Sequence, residues 1–399
     1  MKPIRILFTG CSLLAILSCR DSTGPVADEV SFVRIASGAK FSCGLDSDGV
    51  AYCWGLNDRG QLGDGTTTTR LTPTKVSTTL QFSTIAAGAS HTCAITLTGD
   101  PYCWGGNERG EAGAGAIGNN QLTPALVGGG HKFVSIAPSL VSTCATTSQK
   151  DVYCWGHIAY TDVFGTALAG VKTTQPTWIG TGMVAVVAGL ASPDGARYCS
   201  VDQNALAYCW QLLYTYPYSG PVIPPIGDPV STSLRFTTLR IGTGHVCGIA
   251  TTGQTYCWGL NNLGQLGDGT TSFKSSPTPV IGAHTFESLA VGGGNVVLDD
   301  GMGISANSGF SCGLTAGGKA YCWGANNRGQ LGIGATSSSA SIPQPVAGGL
   351  TFTGLRAGAY HVCGLTSSGS AYCWGDNEAG QLGDGSYKPS AKPTPVVGN

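Results

Sequence analysis

The sequence predicts an all-β protein built from seven repeats, and two recurring features together with the composition support this prediction. Seven pairs of cysteines stand ten positions apart, and the second cysteine of each pair lies between a tyrosine and a tryptophan. These tryptophans recur at intervals of roughly 50 residues, a period typical of propellers and related arrays of short strands. Glycine is abundant, with 62 residues, and only 11% of residues are charged, as expected for a turn-rich β protein. The pairs are Cys43 with Cys53, Cys93 with Cys103, Cys144 with Cys154, Cys199 with Cys209, Cys247 with Cys257, Cys312 with Cys322 and Cys363 with Cys373, and the repeats are centred on Trp54, Trp104, Trp155, Trp210, Trp258, Trp323 and Trp374.

The second repeat shows how each unit is expected to fold. It contains four short strand-like segments, Phe82–Gly88, His91–Thr96, Pro101–Trp104 and Pro124–Val127. Between the second and third segments, a glycine stands six residues after the first cysteine, where it fits the left-handed position of a three-residue hairpin loop. Five repeats have this glycine and two have Lys150 or Ala205 instead. The glycines are Gly49, Gly99, Gly253, Gly318 and Gly369.

This turn fixes the register of the hairpin. With residues 97–99 as the loop, Cys93 faces Cys103 at a non-hydrogen-bonded pair, where side chains of neighbouring strands come closest. A cross-strand disulfide is therefore predicted within each repeat. Because side chains alternate along a strand, Tyr102 and Trp104 are expected on the opposite face. Stacked repeats would then bury an aromatic face against a disulfide face.

Composition and motifs argue against several classes of function. The net charge is −1, so no basic field is present to hold nucleic acid. The cysteine pairs lack the two- to four-residue spacing of zinc ligands, and no nucleophile motif or general acid–base pair is visible. We therefore predict that the protein is not an enzyme, has no catalytic or metal-binding residue and needs no cofactor. The repeat-equivalent His91, His245 and His361 are expected to stabilise turns.

The segment after each tryptophan carries a family resemblance. Five repeats continue as Gly-x-Asn-x-x-Gly, and four of these run on into Gly-Gln-Leu-Gly. With the Gly-x-x-His start of the second strand and a downstream Pro-x-x-Val, the pattern resembles the repeat of the regulator of chromosome condensation family over about residues 31–399. The resemblance implies one seven-bladed β-propeller of four-stranded antiparallel blades, which the cysteine register extends to one disulfide per blade. The five motifs begin at Gly55, Gly105, Gly259, Gly324 and Gly375.

Three repeats depart from this pattern. The third and fourth replace the Gln-Leu loop with residues 157–169 and 211–225, and the sixth carries an extra stretch at 294–310. The chain also opens on an inner strand, 32–36, and ends on an outer one, 395–397. Members of the family that share a blade between the termini start elsewhere in the repeat, so the way in which the ring closes stays open.

The N-terminus predicts export. Lys2 and Arg5 precede an apolar run over residues 6–17, which is too short to span a bilayer but typical of a secretory signal. The run ends at Cys19 in a segment that resembles the lipobox of bacterial lipoproteins. That resemblance implies a signal peptide over 1–19, lipidation of Cys19, a linker over 20–30 and a lipid-anchored protein of the bacterial cell envelope. An ordinary cleaved signal is the alternative. Disulfides independently favour an oxidising compartment.

The unequal loops predict a binding surface. In a four-stranded antiparallel blade, the first-to-second and third-to-fourth connections emerge on one face, and the tight cysteine hairpins on the other. Loops are where repeat proteins vary in order to bind, although neutral drift is the alternative explanation. We predict a non-enzymatic scaffold that binds another protein of the envelope or extracellular space through this face. The residues assigned to it are Asn57, Arg59, Arg109, Tyr160, Tyr214, Tyr216, Asp299, Asp300 and Arg328.

The family resemblance leaves other functions open. Guanine nucleotide exchange, the best-known activity of the family, needs an intracellular GTPase and conflicts with the signal peptide and the disulfides. Secreted bacterial propellers of this type include β-lactamase inhibitors, which makes a secreted enzyme inhibitor one alternative. A carbohydrate-active enzyme or carbohydrate-binding propeller is another, because propellers host many chemistries. No nucleic-acid partner is expected, membrane contact is expected only through the lipid anchor, and the protein is expected to be a monomer.

Overall fold

The computed structural model describes residues 30–115, 117–158, 171–189, 195–213, 229–231, 233–294, 308–337 and 339–398. These residues form 27 β-strands, and none of them forms a helix that could cross a membrane. The strands are arranged as the predicted seven-bladed β-propeller. The proposed signal peptide, Cys19 and the linker lie outside the described residues, so those predictions stay predictions.

Each blade is an antiparallel sheet whose strands follow chain order. Blades 1 to 3 contain β1 (Phe32–Ser37), β2 (Phe41–Asp46), β3 (Ala51–Gly55) and β4 (Arg70–Lys75); β5 (Phe82–Ala87), β6 (His91–Thr96), β7 (Pro101–Gly105) and β8 (Gln121–Leu126); and β9 (Ser135–Pro138), β10 (Ser142–Thr146), β11 (Val152–Ile158) and β12 (Val171–Gly180). Blade 4 contains β13 (Val187–Ala188), β14 (Gly195–Val201) and β15 (Ala207–Leu213) within the described residues. Blades 5 to 7 contain β16 (Phe236–Ile241), β17 (His245–Ala250), β18 (Thr255–Gly259) and β19 (Lys274–Pro279); β20 (Phe286–Gly292), β21 (Phe310–Thr315), β22 (Ala320–Ala325) and β23 (Ser339–Pro345); and β24 (Gly354–Ala357), β25 (His361–Leu365), β26 (Ala371–Gly375) and β27 (Ser390–Pro395).

The cysteine hairpins have the predicted register. Cys93 pairs with Cys103, and Ile95 pairs with Pro101 next to the three-residue loop. All seven predicted disulfides are formed within blades, and the Cα atoms of each pair are 4.0–4.1 Å apart. This spacing matches the close, non-hydrogen-bonded pairs of an antiparallel ladder. The bonded pairs are Cys43 with Cys53, Cys93 with Cys103, Cys144 with Cys154, Cys199 with Cys209, Cys247 with Cys257, Cys312 with Cys322 and Cys363 with Cys373.

The disulfides belong to the interior of the ring rather than to its surface. Every one of these cysteines is buried except Cys209, which is partly buried. The predicted disulfide residues are therefore structural. No exposed surface at all remains on four cysteines that are second members of their pairs, Cys154, Cys257, Cys322 and Cys373. A partner or a reductant in solution cannot reach these four sulfur atoms while the blades stay packed, whereas Cys199 and Cys209 of blade 4 line a cavity.

Adjacent blades bury an aromatic face against a disulfide face, as the alternation predicted. The Cys43–Cys53 disulfide of blade 1 packs in one cluster with Phe82 and Trp104 of blade 2. Trp104 is fully buried and contacts Phe82 in a tilted arrangement at a ring-centroid distance of 6.0 Å. Each such junction removes from water a large aromatic area and a disulfide, and this burial stabilises the ring.

The ring closes by the same contact that joins its other blades. In blade 1 the carbonyl of the hairpin glycine Gly49 accepts a hydrogen bond of 2.8 Å from the amide of Phe82, the first residue of blade 2. At the seam, the amide of Phe32 donates to the carbonyl of Gly369 in blade 7 at 2.9 Å. The Val30 amide adds a 2.6 Å bond to Gly398. Each blade is therefore built from one continuous segment, and the termini share no blade.

The left-handed position of the hairpins is used even where glycine is missing. Gly99 has a φ of 86°, whereas Lys150 and Ala205 have φ values of 69° and 61° at the equivalent places. The carbonyl of Ala205 still accepts a 2.7 Å hydrogen bond from the amide of Phe236 in the next blade. The contact between blades thus holds two side-chain-bearing residues in a conformation that L-residues disfavour.

The fourth strands begin earlier than predicted. In blade 2 the strand is Gln121–Leu126 rather than 124–127, and in blade 7 it is Ser390–Pro395 rather than 395–397. Gln121 pairs with Gly105, and the ladder shifts register between Cys103 and Gly105. A pairing with a bulge has no simple alternation in sequence, which explains why the sequence pattern places the start of this strand too late.

Candidate protein-binding face

The loop face is the end of the propeller that carries the turns between first and second strands and the loops between third and fourth strands. In blade 1 these are residues 38–40 and 56–69. The hairpins around Gly99 and its equivalents lie at the opposite end, here named the hairpin face.

The side chain of Asn57 holds its loop together and is fully buried. Its Nδ2 donates to Asp64 Oδ1 at 3.1 Å and to the carbonyls of Thr66 and Thr68, and its Oδ1 accepts from the amide of Leu62 at 2.9 Å. The prediction that Asn57 contacts a partner is therefore wrong for its side chain, because every polar atom of the amide is already used inside the loop.

Each such loop also covers the tryptophan of the following blade. The carbonyl of Gln381 in blade 7 accepts bonds from Trp54 Nε1 at 3.1 Å and from Ser42 Oγ at 3.1 Å in blade 1. Gly383 of the same loop lies so close to the indole that an added Cβ would be 2.7 Å from Trp54 Nε1. The Gly-Gln-Leu-Gly motif is therefore a junction between blades, and its glycine gives the indole room.

The three recurrent histidines extend this junction. Each Nε2 makes a hydrogen bond with a Ser or Thr hydroxyl of the next blade. That hydroxyl donates to the carbonyl of Gln381, Glu111 or Gln265, equivalent residues of the loop that follows the third strand. Burial lowers the pKa of His91 and His361 to about 3 and that of His245 to about 4. These side chains therefore join blades rather than stabilise turns within them. The pairs are His91–Thr143, His245–Ser311 and His361–Ser42, at 2.8–2.9 Å.

Two of the predicted arginines form equivalent ion pairs between blades on the loop face. Arg59 pairs with Glu108 of the next blade, and Arg328 pairs with Glu378. Arg109 is half-buried. Arg59 and Arg328 keep exposed side-chain surface of 24% and 45%, so both can contact a partner as well as bridge blades.

Two buried carboxyl groups depart from the repeat pattern on the same face. Glu111 stands where four other blades have glutamine, and Asp376 follows the glycine that precedes the loop in blade 7. Burial raises the pKa of both carboxyl groups. Asp376 lies 3.7 Å from Arg328. No group of three His, Cys, Asp or Glu side chains within the described ranges could hold a metal ion.

A groove lies between blades 4 and 5. In the sequence of blade 4, Gln211 directly follows Trp210, so this blade, like blade 3, lacks the Gly-x-Asn-x-x-Gly motif that covers the next tryptophan in the other five blades. The tryptophan concerned, Trp258, is 8% exposed, whereas five of its equivalents are completely buried. A cavity of about 260 Å³ lies against it and adjoins a second of about 380 Å³. Both cavities are lined by Arg197, Gly244, Trp258 and Gly259, and the second also by Leu260, Phe273, Lys274 and Ser275.

Apolar groups and positive charges meet in this groove. Phe273 is 63% exposed, which is unusual for a phenylalanine and places its ring at the mouth of the groove. Lys274 keeps a partly exposed side chain and lies 3.5 Å from Asp268. The sequence pattern did not predict this groove, although a signal existed in the motif that blade 4 lacks. Tyr160, Tyr214, Tyr216, Asp299 and Asp300 of the predicted face lie outside the described residues.

The chain resembles known proteins in sequence over part of its length. It is 28% identical over 207 residues to the human E3 ubiquitin-protein ligase HERC2, covering 41% of this chain and 4% of that protein. It is 29% identical over 159 residues to the Ultraviolet-B receptor UVR8 of Arabidopsis thaliana, covering 38% of this chain and 32% of the receptor. The chain thus spans less than a third of the length of either relative.

Solved structures share the fold. Prp20p of Saccharomyces cerevisiae matches with a TM-score of 0.71 and 18% identity over 92% of this chain and 87% of that one. The ectodomain of the Physcomitrella patens receptor kinase CR4 matches with a TM-score of 0.52 and 19% identity, covering 86% of this chain and 74% of that one. At such identities the likeness shows the propeller fold.

Two profiles described as Regulator of chromosome condensation (RCC1) repeat match the sequence. The first matches residues 48–95, 252–298, 317–365 and 368–399, and the second matches 32–61, 82–111, 303–330 and 352–381. Because the profiles together cover 32–111, 252–298 and 303–399, more than half of the sequence, the chain belongs to the regulator of chromosome condensation (RCC1) repeat family.

Proposed function

We propose that the protein is a non-enzymatic scaffold that binds another protein through its loop face, with the groove between blades 4 and 5 as the anchoring point. The observation that carries the proposal is the incomplete cover of Trp258 beside the exposed ring of Phe273. Concave apolar sites that are open to solvent are where a partner can insert an aromatic or aliphatic side chain and displace water.

The charges around the groove favour a partner segment with an acidic residue beside its apolar anchor. Arg197 and Lys274 both line the groove, where Lys274 also pairs with Asp268. Opposite charges at the rim of an interface speed association and set orientation more than they add affinity.

Proteins of the same fold support protein binding as a use of this fold. One solved structure reports the binding properties of yeast Prp20p to Gsp1p and histones, and another shows Kap60 bound to yeast RCC1 (Prp20). These partners belong to those proteins. For this chain we propose a partner in the bacterial cell envelope, because the predicted signal, Cys19 and the seven disulfides all favour an oxidising compartment.

An enzyme inhibitor is a special case of this scaffold, since an inhibitor also binds a protein. It would differ in that the partner's activity falls on binding. A carbohydrate-binding propeller is the alternative of another class, and an exposed aromatic ring such as Phe273 could also stack on a sugar.

The test is capture from envelope extract by a purified chain that starts at residue 20, with binding to each captured protein then measured by biolayer interferometry. Phe273→Asp should weaken binding at least tenfold, because it puts a charge into the apolar mouth of the groove. Leu97→Asp is the matched control, since Leu97 is 73% exposed but lies on the hairpin face. Tyr214→Ala and Tyr216→Ala test the loop residues predicted from sequence.

Loss of binding in Leu97→Asp with full binding in Phe273→Asp would refute the assignment of the face. Retention of the chain on polysaccharide, with no protein partner sensitive to Phe273→Asp, would support the carbohydrate alternative instead.

A further inference from the structure

The central channel is a second place where the repeats differ. The first strands of the seven blades contact one another in ring order, from β1 through β5, β9, β13, β16, β20 and β24 back to β1. These strands have only one neighbour in their own sheet, so their other edge faces the axis. Side chains at the inner edge therefore determine the character of the channel.

Two arginines occupy a position that is small and apolar in the other blades. Arg240 of blade 5 pairs with Cys247, and Arg356 of blade 7 pairs with Cys363. The residues that pair with the first cysteine elsewhere are Ala36, Ala86, Ala137, Val187 and Ala290. A third arginine, Arg34, lies two residues before Ala36 on the first strand of blade 1.

The three arginines share one electrostatic environment. Burial lowers the pKa of Arg240 to about 10, and the positive charge of Arg356 contributes to that shift. Burial and the charge of Arg34 lower the pKa of Arg356 in turn. Arg356 and Arg34 nevertheless keep exposed surface, so neither side chain is enclosed in a packed core.

No acidic side chain of the described residues forms an ion pair with these arginines. Arg240 Nη1 donates to the carbonyl of Leu239 at 2.8 Å, and Arg356 Nη1 donates to the carbonyl of Leu355 at 2.8 Å. Each guanidinium has five N–H donors in a planar fork, so donors remain for a further acceptor. Like charges placed close together repel each other unless an anion compensates them.

The arginines lie near the loop-face end of the channel, because Arg240 and Arg356 are each the last residue but one of a first strand. The turns that follow the first strands of blades 1, 2, 3 and 7 form an apolar cluster on the loop face. Its members are Ala39, Ala89, Leu140, Ala359 and Tyr360. The cavities of the groove between blades 4 and 5 are lined by other side chains, so an anion at the arginines and a protein in the groove would use different residues.

We propose that the central channel binds a small oxyanion of the phosphate class between Arg240 and Arg356, with Arg34 on the approach. Two guanidinium groups at the same level on blades 5 and 7 can each donate a forked pair of hydrogen bonds to one tetrahedral oxyanion. Binding neutralises the repulsion among the arginines and ties together three blades, so the ligand stabilises the ring near its seam.

The experiment measures the melting temperature and binding heat of the purified chain, with disulfides intact, in phosphate and in chloride at matched ionic strength. At ten times its dissociation constant, phosphate should raise the melting temperature by about 2 °C, and chloride should not. Glycerol 3-phosphate forms a second arm, which distinguishes recognition of free phosphate from recognition of a phosphate ester.

The double variant Arg240→Ala/Arg356→Ala places at both positions the residue that four other blades use, so it should fold. It should lose the phosphate shift, and without phosphate it should melt at or above the wild-type temperature because the repulsion is gone. Arg59→Ala, an arginine on the loop face paired with Glu108, is the control that should keep the shift. Equal shifts in phosphate and chloride, or a phosphate shift that survives in the double variant, would overturn the proposal.

Discussion

The two hairpins without glycine give a quantitative test of how the blades are joined. Ala205 has a φ of 61° because its carbonyl must reach the amide of Phe236 in the next blade. Holding an alanine in the left-handed region costs about 1–2 kcal/mol. Ala205→Gly removes this strain but gives the unfolded chain more freedom, which takes back about 0.4–1 kcal/mol. The net expectation is a gain in unfolding free energy of about 0.5–1 kcal/mol.

The expected change in melting temperature is small but measurable. For a domain of this length the entropy of unfolding makes 1 kcal/mol worth about 1 °C. Ala205→Gly should therefore raise the melting temperature by about 1 °C, and the combination with Lys150→Gly should raise it by about 2 °C. Differential scanning calorimetry with replicate scans resolves shifts of this size, and equilibrium unfolding in urea checks their sign.

The reverse substitution provides the control. A Cβ built on Gly253 would meet only Thr285 Cγ2, at 3.7 Å, so Gly253→Ala adds backbone strain without a clash and should lower the melting temperature by a similar amount. Gly49→Ala should be worse, because its Cβ would lie 2.7 Å from the carbonyl oxygen of Phe82. A destabilised Ala205→Gly together with a neutral Gly253→Ala would refute the view that the contact between blades imposes this conformation.

Three further predictions concern the disulfides, the buried histidines and the N-terminus. Each disulfide closes a loop of about ten residues, for which chain entropy gives a stabilisation of roughly 2–3 kcal/mol. Reduction of all seven should therefore lower the melting temperature by about 10 °C or more. Peptide mapping should find each cysteine bonded to its partner ten residues away, and free thiols in exported protein would contradict this. In the unfolded chain, His91, His245 and His361 take up a proton near pH 6.5, whereas in the native state they do so only at about pH 3–4. The free energy of unfolding should therefore fall as the pH drops below 6.5, by up to about 1.4 kcal/mol per histidine per pH unit. Replacement of the three by glutamine should flatten this dependence in urea titrations at about pH 5 and about pH 7.5, and an unchanged slope would show that the histidines do not set it. Cys19→Ser should release the protein from membranes or block its processing in cell fractionation, and membrane retention of normally processed Cys19→Ser would exclude lipidation.

The parts of the fold that depend on local geometry could be predicted from the sequence. The pairing of Cys93 with Cys103 follows from a three-residue loop, because the turn alone sets the register. Closure of the ring depends on Phe32 and Gly369, which are far apart in the chain and carry no signal that singles them out as partners. The same contact recurs at other junctions, but this becomes visible only once the blades are placed side by side.

The candidate site was harder to predict because a polar residue that recurs in a loop looks the same whether it binds a partner or holds the loop. Asn57 has equivalents in four other repeats, and recurrence at one place in a blade indicates a structural role, since its amide closes the loop. The feature that distinguishes blades 3 and 4 is the absence of the motif that follows the tryptophan in the other five blades. The groove lies at Trp258, the tryptophan of the blade that follows blade 4, so a missing motif was the signal in the sequence.

The same logic separates structural from functional differences throughout the ring. The junctions between blades are alike in most of the ring, because an indole donates to a loop carbonyl of the preceding blade in nearly the same way. A change to the indole, the loop or the disulfide beside them should therefore destabilise the ring. Positions on the first strands have no such partner, so blades 5 and 7 can carry Arg240 and Arg356 where most other blades have alanine. A repeat that breaks the pattern at a junction can bear strain, as Ala205 does, or border a gap, such as the cavity at Trp258. Strain of this kind gives the ring no new chemistry, whereas a gap lined by Trp258 and Phe273 creates a surface that no regular blade has, and this is why the irregular blades are the ones to test for binding.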